Sequence, residues 1–107
     1  ENSIISGMGR NFKKNATSLQ TPDVWFSAAA RNNSIIATND LLMVTDPFNL
    51  AAPNFMPLTG SPLLTGASFT NSRLTDSFFT PVTYKGAFGT TNWTTGWCNF
   101  NPQNTDY

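Results

Sequence analysis

The chain has 107 residues, with six basic and six acidic side chains that cancel to a formal net charge of zero. That length fits one domain with a modest core, and sparse, balanced charge leaves no electrostatic footprint for nucleic acid or an anionic membrane surface. With no histidine and a single cysteine, Cys98, the chain lacks the commonest general base, the thiolate sets of zinc and iron–sulfur sites and any intrachain disulfide, so no cofactor is expected. Charged residues amount to 11%, against about 25% in an ordinary soluble protein, and Asn, Thr and Ser fill the deficit as they often do in exported β-rich proteins.

In chain order, Ile4-Ile5 is a short strand candidate, followed by glycines around Met8 and a polar stretch anchored by Phe12 and Leu19. Arg10, Lys13 and Lys14 form the main basic cluster, which reads as a solvated loop. Thr21-Pro22-Asp23 predicts a helix start, with Thr as N-cap, Pro at the first helical position and an acid at the positive end of the dipole. The helix is expected over 22–31, packing through Val24, Trp25, Phe26 and Ala28, and Asn32-Asn33 stops it in left-handed geometry.

Ser34-Ile-Ile-Ala37 and Leu41-Leu-Met-Val44 are too short for helices and read as buried strands. Asn39-Asp40 between them suits either a tight turn or a polar corner. Beyond Asp46-Pro47, the prolines at 53, 57 and 62 exclude a central strand or regular helix and predict an irregular covering segment. Gly60-Ser61-Pro62 forces a turn, Leu63-Leu64 returns to the core and Gly66 allows close backbone crossing. Residues 68–83 suit a short helical turn or an edge strand. From Tyr84 onward, aromatic residues alternate with Gly, Asn and Thr, so Phe88, Trp93, Trp97 and Phe100 all need cover.

Two phrases carry a resemblance. The run Asn54-Phe-Met-Pro-Leu-Thr-Gly-Ser-Pro-Leu-Leu-Thr-Gly-Ala67 and the closing pattern Gly86-Ala-Phe, Asn92-Trp, Gly96-Trp, Asn101-Pro-Gln-Asn104 resemble the C-terminal part of exported Bacteroidota surface proteins, often lipoproteins, with right-handed parallel β-helix bodies. The resemblance implies a mainly β fold: the end of a right-handed parallel β-helix with one short helix (about 22–31) and an irregular aromatic-rich C-terminal cap. Residues 1–44 would be the last coils with a packing helix and 45–107 the capping segment, one domain within a longer chain. It also implies an extracellular or outer-membrane location in a Gram-negative bacterium.

Catalysis would need a constellation, and the acids are placed for simpler roles: Asp23 at a helix start, Asp40 and Asp46 in turns, Asp106 near the end. Asp76 is left without an assigned role. The chain therefore reads as a non-catalytic end segment of a surface or secreted protein. Its expected partner is the remainder of its own longer chain, alongside other surface proteins or glycans, with no nucleic acid and no transmembrane segment. One alternative is carbohydrate binding or processing, with Trp93, Trp97 and Tyr84 as a platform for sugar rings. Another is an adhesive or filament-forming subunit that assembles through strand edges.

Overall fold

A computed structural model describes residues 1–17 and 19–106. Two pairs of short strands organise it, joined by single helical turns and long irregular stretches. Strand β1 (Ile4–Ser6) pairs in parallel with β2 (Ser34–Ile36), Ile5 lying opposite Ile35. Strands β3 (Val44–Asp46) and β4 (Asn54–Pro57) form an irregular antiparallel ribbon.

Both apolar doublets, Ile4-Ile5 and Ile35-Ile36, are therefore in strands. The tetrapeptide Asn-Ser-Ile-Ile occurs at 2–5 and again at 33–36, yet the strands align thirty positions apart rather than thirty-one. The reason lies at the entry to each strand. Asn2 and Asn32 both take left-handed geometry (φ 57° and 51°), and Asn32 Nδ2 donates to Asn2 Oδ1 at 3.0 Å. Asn33 Oδ1 in turn accepts from the Ser3 backbone N–H at 2.9 Å. Matching the two left-handed corners sets the register, and a slip by one residue would turn every side chain to the other face.

Helix α1 covers Pro22–Phe26, shorter than the expected 22–31. Pro22 and Asp23 occupy the first turn as anticipated, but the Thr21 side chain makes no capping hydrogen bond. Extension fails because the Phe26 carbonyl is taken by Asn33 Nδ2 at 3.0 Å, while Ala28 is extended at ψ 128°. A single 3-10 turn, Ala29–Arg31, follows before Asn32 stops the chain in the left-handed region. Phe26 is the buried apolar side chain of this unit, 8% exposed, with its ring 5.2 Å from that of Phe12.

The parallel β-helix is overturned. A coil of that fold needs successive strands stacked into continuous parallel sheets, whereas among the described residues one parallel pair stands beside one antiparallel pair. The chain leaves the first sheet at a 3-10 turn, Asn39–Leu42, closed by Met43 at φ 53°. Leu41, Leu42 and Met43 are consequently not a strand, and pairing resumes only at Val44, so β3 runs across the 44/45 division.

Pro57 does not prevent β4, because a two-stranded ribbon leaves it at an edge where its missing N–H costs no ladder bond. Leu58 continues the contact by donating to the Met43 carbonyl at 2.7 Å. The expected turn at 60–62 is present. Gly60 has φ 89°, and Ser61, 4% exposed, donates through Oγ to the Leu42 carbonyl at 2.6 Å and accepts from Leu63 N–H at 3.1 Å. This one hydroxyl ties the 60–64 turn to the end of the preceding 3-10 turn. A further 3-10 turn, Ser72–Leu74, supplies the short helical element anticipated within 68–83.

Candidate functional site

The C-terminal aromatics converge on a ladder that begins in β4. Phe55 lies 5.5 Å from Phe88 and 6.2 Å from Phe100 between ring centroids. Phe88 stacks on Trp93 at 5.2 Å with planes 17° apart, and Trp93 stacks on Trp97 at 5.7 Å with planes 27° apart. Offset stacking of this kind contributes beyond area burial, so the ladder is held by the rings themselves as well as by what they cover.

The loop beneath the indoles is locally determined. Asn92 Oδ1 accepts from the backbone N–H of Thr94 at 3.2 Å and from its hydroxyl at 2.6 Å, a side-chain-closed turn. The Thr94 carbonyl then accepts from Cys98 N–H at 3.1 Å, and Gly96 takes φ 89° within that turn. This places positions 93 and 97 one above the other. Both indole N–H groups are consumed inside the loop: Trp93 Nε1 donates to the Ala87 carbonyl at 2.9 Å, and Trp97 Nε1 donates to the Trp93 carbonyl.

The three anticipated stacking residues do not form one platform. Trp93 stacks on both Phe88 and Trp97, so its ring is engaged within the ladder although the residue stays 46% exposed. Trp97, 69% exposed, ends the ladder and keeps one free face. Tyr84 stands apart from both indoles among the described ring contacts and packs on Gly89, where an added Cβ would lie 2.4 Å from its Cε1. Cys98 is a half-buried free thiol on the wall of a hollow shared with Asn54, Asn92, Thr94 and Phe100.

Asp23 stands in the first turn of α1 and Asp40 in the 39–42 turn, whereas Asp46, expected in a turn, ends strand β3. Asp46 Oδ2 accepts from Asn49 Nδ2 at 3.1 Å. Asp76, left open by the sequence, closes a turn by accepting from Phe78 N–H at 2.8 Å. Among the described residues no group of three or more Cys, Asp or Glu side chains is placed to hold a metal ion. Among the described residues no helix is long and apolar enough to cross a membrane.

A second feature lies beside α1 and was not read from the sequence. The Arg31 guanidinium carbon sits 3.9 Å from the centroid of the Trp25 ring, and both residues line a hollow of about 370 Å³ shared with Lys14, Gln20 and Val24. Arg31 is six residues from Trp25, off the helical i, i+4 spacing, and the pair meets only because the helix breaks at Ala28. No protein-family model, no curated protein and no solved structure matches the chain.

Proposed function

We propose that this chain is a non-catalytic covering segment of a bacterial cell-surface or secreted protein, completed by packing against another surface, chiefly the remainder of its own polypeptide. The observation that carries this reading is the excess of exposed surface. A folded monomer of 11.7 kDa exposes roughly 5,900 Å², whereas this chain exposes 8216 Å². Its radius of gyration of 17.1 Å likewise exceeds the roughly 13 Å of a compact domain of this length. The excess area is larger than the roughly 800 Å² that each partner contributes to a standard interface.

What is exposed supports the same reading, since Leu41, Phe48, Leu50 and Phe78 all project large apolar side chains. Dispersed catalytic-type side chains and the low charge content of the sequence support a covering role at an outer surface rather than a reaction centre. Hydrogen exchange tests it: backbone amides of β1, β2 and the 92–98 loop should be protected in the full natural polypeptide and lose most of that protection in the isolated 107-residue chain. Equal protection in both would sink the proposal.

Trp97 favours a second reading, glycan recognition by stacking on its free indole face. Binding of neutral oligosaccharides that disappears in Trp97→Ala while the amide exchange pattern stays intact would support it. Unchanged binding, or none in the parent protein, would eliminate it.

A further inference from the structure

We infer that the hollow beside α1 is a receptor site for a small carboxylate carried on a flat apolar body, an activity separate from the covering role. Its volume of about 370 Å³ falls in the range of small-ligand pockets, about 300–1,000 Å³. Its walls combine two cations, Lys14 and Arg31, with the amide of Gln20 and the apolar surfaces of Val24 and Trp25, and no carboxylate lines it. Both Val24 and Trp25 are exposed, so the apolar wall is open to an incoming body.

Arg31 is the residue that selects the charge. Its backbone is pinned on both sides: its N–H donates to the Ala28 carbonyl and its carbonyl accepts from Asn2 N–H, each at 2.8 Å. Its guanidinium is held over Trp25, and its Nε is buried without a hydrogen-bond partner. A half-buried cation held in place by stacking, with one donor orphaned and no counter-ion among the described residues, carries a desolvation cost that an anion on its remaining donors would offset. The planar fork suits a carboxylate, which it can engage through two parallel N–H bonds. Lys14, exposed and lining the same hollow, adds a second positive charge.

Each part excludes a ligand class. A neutral apolar molecule leaves the guanidinium uncompensated, and a bare inorganic anion leaves the Trp25 and Val24 wall wet. A monocarboxylate with a flat apolar body satisfies both, and benzoate is the simplest probe.

The test is a benzoate titration of the full natural polypeptide, followed by the Trp25 indole and Arg31 Nε–H resonances, with benzyl alcohol and inorganic phosphate as controls. Saturable benzoate binding is expected, with benzyl alcohol and the Arg31→Gln variant each at least ~10-fold weaker, the scale of one lost charge-assisted hydrogen bond. Arg31→Lys keeps the charge but loses the fork, and should also bind benzoate more weakly than the parent. Benzyl alcohol binding as tightly as benzoate overturns the proposal in favour of a purely apolar hollow. Phosphate binding as tightly overturns it in favour of unspecific cation pairing, and absence of saturation overturns it outright. Should Arg31→Gln disturb the Asn2 and Asn32 amides, Lys14→Glu in the exposed loop decides instead. It must weaken benzoate and spare benzyl alcohol, and unchanged benzoate affinity would refute the site.

Discussion

Asn32 and Asn2 face each other across the β1–β2 pair in the same left-handed conformation, joined by a 3.0 Å side-chain hydrogen bond. Asparagine tolerates that region better than other non-glycine residues because its short amide bonds locally. Asn32→Ala should therefore be worse than Asn32→Gly. Alanine adds a left-handed penalty of about 1–2 kcal/mol to the lost hydrogen bond, while glycine loses the bond alone. The difference is read as opening free energies of the Ser3 to Gly7 amides by hydrogen exchange; equal losses would show that the corner carries no strain.

Gly89 and Tyr84 form a second dependent pair. An added methyl at 89 would meet the tyrosine ring at 2.4 Å, far inside contact distance, so Gly89→Ala should destabilise the C-terminal region by about 1–3 kcal/mol, the range of overpacking. Tyr84→Leu in the same chain should recover part of that loss. A double-mutant cycle measured by denaturant unfolding checks it, and strict additivity would contradict the contact.

Ser61 is the polar residue most enclosed among those described, and its hydroxyl joins the 60–64 turn to Leu42. Ser61→Ala leaves the Leu42 carbonyl unpaired in a part-buried setting and should cost about 1–3 kcal/mol. The effect should localise to amides 58–64 in exchange measurements; a uniform loss across the chain would place the hydroxyl in a wider cooperative unit.

The two indoles should respond differently to truncation. Trp93→Ala removes the middle rung between Phe88 and Trp97 and should cost more stability than Trp97→Ala by about 0.5–1.5 kcal/mol, the worth of one stacking contact, since the middle ring loses two such contacts and the terminal ring one. Thermal unfolding of the two variants ranks them, and the reverse order would contradict the ladder.

Local punctuation in the sequence was legible, and pairing was not. Pro22 opening a helix, the left-handed geometry of Asn32 and Gly60-Ser61-Pro62 turning the chain each follow from the conformational limits of single residues and are present, although Asn32 closes the 29–31 turn and not the helix that Pro22 opens. The break at Ala28 comes from Asn33 claiming the Phe26 carbonyl from seven residues away, which no helical propensity records. The ribbon through Pro57 depends on an edge position that exists only after β3 has paired. Likewise the aromatic tail announced that its rings need cover, but not that they would stack on one another and leave Trp97 the more exposed of the two indoles. The β-helix expectation rested on the 54–67 and 86–104 phrases, which here build an antiparallel strand, a 3-10 turn and an aromatic ladder; the sense of each strand pair follows instead from the turn at 39–43 and from side chains thirty residues apart.

The stacking of Trp93 on Trp97 at 5.7 Å with planes 27° apart also gives the protein an internal optical reporter. Two indole chromophores that close couple their electronic transitions, so the folded 92–98 loop should give a two-signed exciton band in circular dichroism that vanishes when either tryptophan is replaced. The band would follow the ordering of the last quarter of the chain without a label, and its temperature dependence would show whether that loop melts with the β1–β2 pair or before it.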